Sequence, residues 1–153
     1  MLKTEKECID YIHSLSKFGK KAGLNNIRAL CEKLGNPHKE IRAIHIAGTN
    51  GKGSTCQMLS RVLNESGYKT GLFISPYITD FCERIQINNE LVDRQVLADA
   101  VSYMMPILDK LNNEGIIITE FEFLTAIAFY IFKQEGCDII VCETGLGGLL
   151  DST

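Results

Sequence analysis

The sequence predicts an α/β fold, a parallel sheet with flanking helices built around a P-loop-like phosphate cradle. Three observations carry that expectation. In residues 44–63, Ile44 and Ile46 alternate with His45 as the end of a buried strand; Gly48, Gly51 and Gly53 follow; and Met58, Leu59, Val62 and Leu63 then recur at helical spacing. Near the C-terminus, Ile139, Ile140 and Val141 form a uniformly apolar run, as expected of a parallel strand covered on both faces. Between these two stretches, strand-like and helix-like segments alternate.

Taken in order, Cys8, Ile9, Ile12 and Leu15 have helical spacing, so residues 4–16 read as a short amphipathic helix. Residues 16–23 are basic and read as a loop. Leu24, Ile27, Leu30, Cys31 and Leu34 give a second helix, stopped by Gly35, Asn36 and Pro37. After the strand, cradle and helix of 44–67, the apolar run Thr70–Ser75 reads as a second strand ended by Ser75-Pro76. Residues 81–92 alternate and turn at Asn88-Asn89, a small hairpin. Asp93 caps a long helix carrying Leu97, Val101, Met104, Leu108 and Leu111 on one face, which Pro106 should kink or break. Thr119 and Glu122 have capping-box spacing and open a helix that is apolar nearly all round, hence buried on more than one side. The third strand, 138–142, leaves Glu143 at its C-terminal end.

Length and composition set bounds. With 153 residues and 45% of them hydrophobic, the chain has enough apolar material for the core of one globular domain. A net charge of −3 argues against a nucleic-acid surface. The six cysteines show no C-x-x-C spacing, which disfavours zinc, and unpaired thiols inside apolar runs suit a reducing compartment. The N-terminus has no apolar stretch of signal-peptide type, and no apolar run approaches the length of a membrane span. The expected location is cytoplasmic, with no membrane partner.

The chemistry concentrates at predicted strand C-termini, where open α/β sheets bind ligands. A glycine-rich loop running into a helix N-terminus presents unpaired N–H groups and the positive end of the helix dipole to an anion. Lys52 adds a full positive charge. Asn50, Gly51, Lys52, Gly53, Ser54 and Thr55 are therefore the expected nucleotide-binding residues. Their spacing departs from G-x-x-x-x-G-K-S/T, because Ile46 stands at the first glycine position and Gly53 follows the lysine. ATP chemistry needs magnesium, which takes hard oxygen ligands, so Glu143 and Ser54 are the expected metal ligands, with Ser75 the weaker candidate because Ser-Pro after a strand is usually only a turn; its metal role is what the family resemblance given below implies. Lys52 and Glu143 are the expected catalytic pair. The segment Gly145–Gly148 lacks the G-x-G-x-x-G spacing of a dinucleotide site, and no lid or base residues of a kinase are visible. His45, within the strand, reads as a packed histidine.

The run Gly48–Ser54 resembles the variant loop of the Mur ligase superfamily, ATP-dependent amide-bond ligases. Ser75-Pro76-Tyr77 with Phe81-Cys82-Glu83-Arg84-Ile85 is similar to S-P-H-L…F-x-E-R-I of bacterial folylpolyglutamate and dihydrofolate synthases. Thr119–Phe123 resembles their T-x-F-E-F, and residues 143–153 resemble E-x-G-L-G-G-R-L-D-A/S-T-N. These motifs occur in the family's order over about residues 20–153.

The resemblance implies an incomplete Mur-ligase-type ATP-binding domain over residues 1–153, with the C-terminal glutamate-binding domain absent. It implies ATP and Mg2+ as cofactors, and folate or dihydropteroate with L-glutamate as substrates. A carboxylate would be activated as an acyl phosphate and attacked by the glutamate amine. Thr119, Glu120, Phe121, Glu122, Leu150, Asp151 and Ser152 would line the pterin side of the acid site, with the loop near Gly23–Asn26. Tyr77 and Leu149 stand where the family usually has His and Arg, and the final asparagine of the last motif lies beyond Thr153. The expectation is a chain inactive as a ligase by itself, prone to self-association through an exposed sheet edge. The alternative is a non-catalytic P-loop remnant that binds nucleotide without ligating.

Overall fold

Local chemistry sets most of the helix ends. Helix α1 (Glu5–Ser14) opens with a capping box between Thr4 and Glu7. Helix α2 (Asn25–Lys33) ends where Gly35 and Asn36 take positive φ, and the Asn36 N–H returns to the Cys31 carbonyl. Helix α3 (Lys52–Glu65) starts after Gly51, whose φ of 76° places it in the left-handed region, and carries no side-chain cap. Asp93 caps α4 (Arg94–Asn113) by accepting from the N–H groups of Gln95 and Val96. Thr119 and Glu122 form the expected capping box of α5 (Glu120–Gln134). Pro106 does not break α4, which runs through it. It lies on the exposed face, so the helical bond that it deletes is on the solvent side. The computed structural model describes residues 4–15, 23–145, 147–148 and 151–153. Most of the basic loop expected at 16–23, together with Leu149 and Leu150, lies outside them.

Five strands, β1 (Arg42–Ile46), β2 (Thr70–Phe73), β3 (Ile85–Ile87), β4 (Glu90–Leu91) and β5 (Ile139–Glu143), form one sheet in the order β1-β5-β2-β3-β4. The three strands expected from the sequence are mutually parallel, with β5 inserted between β1 and β2. The hairpin adds β3 and β4 antiparallel on the far side of β2, so the sheet is mixed. Asn88 and Asn89 make its two-residue turn, both at positive φ. One expectation is corrected here: β1 is not a buried strand. It is an edge strand in which Ile44 and Ile46 are half-buried and His45 is exposed. Which strand lies at the edge is decided by strand order, which no local pattern encodes.

Alternation within β5 and β2 divides the core into two layers. Leu72 and Val141 face α3 and pack with Cys56, backed by Ile46, Leu59, Leu63 and Ile74. Phe73, Ile140 and Cys142 face the opposite layer, where α1, α2, α4 and α5 contribute Ile12, Leu30, Met104, Leu108, Phe123 and Phe132. Helix α5 is the centre of that layer, with ten buried residues. All six cysteines are buried and outside any disulfide, behaving as small apolar side chains. Among the described residues, no helix is long and apolar enough to cross a membrane.

Candidate functional site

The C-terminal ends of β1, β2 and β5 converge on a cleft of about 490 Å³, lined by Thr49–Ser54, Gln57, Ile74–Pro76, Ile78, Glu83, Gln86 and Glu143. One wall is the start of α3. Because α3 has no side-chain cap, its first N–H groups face the cleft without an intrahelical acceptor. The Lys52 stem lies over Gly48, 3.7 Å from where a Cβ would stand there, and its ammonium makes no hydrogen bond or ion pair among the described residues.

The opposite wall is Glu143, at the end of β5 and only 6% exposed. Its Oε2 accepts from the Ser75 N–H at 3.0 Å, which ties the ends of β5 and β2 together. The same oxygen lies 3.4 Å from a Cβ placed on Gly53, so the carboxylate sits directly over the first turn of α3. Oε1 makes no protein hydrogen bond among the described residues. Ser54 and Ser75 bring two hydroxyls to the same cleft. A buried carboxylate with an uncommitted oxygen and nearby hydroxyls is an all-oxygen donor set. It fits magnesium, which needs only one or two carboxylates when phosphate and water complete its shell. Neighbouring thiols are no competitors: burial, then the Glu143 charge, pushes Cys56 up to about 11, and burial pushes Cys142 up to about 12.

The remaining expected residues are placed elsewhere. Thr55 is turned away from the cleft, donating its hydroxyl to the Gly51 carbonyl at 2.8 Å. Glu122 is occupied by its capping box, accepting from both the N–H and the hydroxyl of Thr119 at 2.8 Å. Glu120 pairs with His13 of α1 at 3.0 Å. Phe121 packs over Gly145, whose hypothetical Cβ would meet the ring at 2.6 Å. Asp151 and Ser152 line a different cavity, about 360 Å³, between the β1–β5 face and α2. There Asp151 accepts from the N–H and hydroxyl of Thr153, and His45 Nε2 lies 2.7 Å from that hydroxyl. His45 is thus an exposed, hydrogen-bonded side chain. Neither of these two cavities holds both the 119–122 and the 151–152 groups, and Leu150 lies outside the described residues.

Sequence reading passed over Gln57, Ile78, Glu83 and Gln86 as cleft residues. Glu83 accepts from the N–H groups of Ile78, Thr79 and Asp80 and from the Thr79 hydroxyl, which fixes the loop after Ser75. Gln86 donates to the Glu83 carbonyl at 2.9 Å and is 6% exposed. An amide at an inward position of an alternating strand was the available signal.

A lysine-bearing, uncapped helix start facing a buried carboxylate across the sheet's C-terminal edge is an anion-receptive site on an α/β fold, the fold of the N-terminal domain of folylpolyglutamate synthase structures. No family model matches the chain. Among curated proteins it is 40% identical over 149 residues to folylpolyglutamate synthase of Lacticaseibacillus casei, covering 96% of this chain and 35% of that protein. It is 45% identical over 145 residues to dihydrofolate synthase/folylpolyglutamate synthase of Bacillus subtilis, covering 94% and 34%. Among solved structures, folylpolyglutamate synthase of Thermotoga maritima superposes with a TM-score of 0.91 at 41% identity, covering 97% of this chain and 34% of that one. A folylpolyglutamate synthase–AMPPCP–folate complex superposes with a TM-score of 0.94 at 40% identity, covering 99% and 37%. The chain is similar to these synthases over nearly its whole length, and it spans about a third of theirs.

Proposed function

We propose that this chain is the N-terminal part of the ATP-binding domain of a ligase that adds L-glutamate to folate or dihydropteroate. The observation that carries the reading is the placement of Lys52 and the uncapped start of α3 opposite Glu143. It occurs in a chain similar to enzymes of that name, one of them solved with an ATP analogue and folate. In the proposed reaction a carboxylate oxygen bonds to the γ-phosphorus of ATP and the bond to the β–γ bridging oxygen breaks, releasing ADP. The glutamate nitrogen then bonds to the acyl carbon, phosphate leaves, and the amine gives up a proton.

This chain's residues would hold the phosphates and stabilise the charge in transfer. The α3 N–H groups and Lys52 receive the β- and γ-phosphate oxygens. Glu143, Ser54 and Ser75 would hold magnesium, which would supply positive charge to offset that of the phosphates. Asn50, Gly51 and Gly53 shape the cradle, whereas Thr55 closes the helix turn behind it. Ligation is proposed of the whole enzyme, and nucleotide binding of residues 1–153. Buried thiols outside any disulfide support a reducing, cytoplasmic setting. The test is Glu143→Gln. The variant is expected to fold and bind ATP, but with the gain in affinity on adding magnesium reduced at least several-fold. Equal magnesium dependence in both proteins removes Glu143 from the metal site.

A further inference from the structure

Beside Tyr77 and Phe81, Arg84 has no partner that the nucleotide reading requires. Its guanidinium carbon lies 5.1 Å from the centroid of the Tyr77 ring and 5.7 Å from that of Phe81. Those two rings stand 5.6 Å apart and form a shelf. His13 packs edge-on against Phe81 and pairs with Glu120 at the start of α5. Arg84 is half-buried, and its Nε is fully buried without a hydrogen-bond partner. Among the described residues none of its donors makes a hydrogen bond or an ion pair. Glu120 is near enough to be felt as charge, but its carboxylate is committed to His13. Burial works against the charged form of Arg84 and lowers its pKa.

Buried donors in native proteins are normally paired, so a guanidinium left unpaired calls for a ligand. Two aromatic rings pack against the guanidinium, and its N–H fork makes no hydrogen bond among the described residues. That fork matches a carboxylate with two parallel hydrogen bonds. Arg84 lines none of the cleft that holds Lys52 and Glu143, so the nucleotide phosphates are not its partner. It stands instead beside Glu120, one residue from Phe121, which packs on the loop leaving Glu143.

We propose that Arg84, seated on Tyr77 and Phe81, binds the carboxylate of a folate substrate that is not phosphorylated in the cleft. The proposal rests on the ligase reading and adds a residue that recognises the acid. It accounts for an aromatic ring at Tyr77, which supports the guanidinium from below.

The experiment is equilibrium binding to the chain saturated with AMPPCP and Mg2+, using folate, pteroate, a carboxylate-free pterin and L-glutamate as probes. Arg84→Met keeps the packed stem and removes the charge, while Arg84→Lys keeps the charge and removes the fork. Folate is expected to weaken about ten- to a hundred-fold in Arg84→Met and to recover in part in Arg84→Lys. Affinities for AMPPCP, pteroate and the carboxylate-free pterin are expected to be unchanged. Equal folate affinity in wild type and Arg84→Met overturns the proposal, as does a parallel loss of all probes. So does loss of L-glutamate binding alone, or AMPPCP binding by the wild type without folate binding. Failure of the wild type to bind AMPPCP strikes instead at the ligase reading.

Discussion

Glu83 illustrates how a residue outside the phosphate cradle sets its geometry. Hydrogen bonds from the Thr79 hydroxyl, then from the backbone N–H groups of Ile78, Asp80 and Thr79, hold its carboxyl down to about 2, from an ordinary 4.5. A carboxylate with a depressed folded-state pKa adds stability above its unfolded pKa, because the unfolded chain takes up the proton first as pH falls. The contribution is therefore complete above about 4.5 and is lost as pH falls toward about 2. Glu83→Gln is expected to melt lower than wild type at neutral pH, with the difference closing between pH 4.5 and 2. Thermal melts of both proteins across that range check it, and a difference independent of pH would contradict the assignment. The sequence displayed Glu83 only as one letter of a motif; its four acceptor contacts arise from how residues 78–80 fold back, which spacing alone does not encode.

At the scale of elements, close approach between β2 and α5 governs what the sheet can tolerate. A Cβ on Gly71 would stand 2.7 Å from Phe132 Cδ1 and 2.9 Å from Ile140 Cγ2, both in the packed core. Gly71→Ala is expected to cost roughly 1–3 kcal/mol, the usual range for overpacking. Denaturant unfolding measures it, and a loss below about 0.5 kcal/mol would show that Phe132 can move aside. The helices were legible from their apolar spacing and, for α4 and α5, because their starts are written in caps: Asp93 and Thr119 serve as expected. Residues 44–55 and 138–143 were legible because the strand pattern and the glycine loop are local. The position of β5 between β1 and β2 was not, since a helix-length connection permits several strand orders. For the same reason β1 was read as buried and His45 as packed, although both lie at an edge.

At the scale of the molecule, β1 pairs with β5 alone, so its outer backbone groups have no strand partner among the described residues. Exposed edges template pairing with another chain. Residues 1–153 are therefore expected to self-associate, and sedimentation velocity over a range of concentrations checks this; a monomer at every concentration would contradict it. The hairpin covers the β2 side, which leaves β1 as the edge in question.

The central claim is that Lys52 and the uncapped start of α3 form the phosphate site. Calorimetric titration of wild type and Lys52→Ala with ATP and magnesium tests it most directly. Loss of one charge-assisted interaction is worth roughly 1.5–3 kcal/mol, so the variant is expected to bind ATP about ten- to a hundred-fold more weakly with its melting temperature unchanged. Equal affinities in the two proteins would contradict the account.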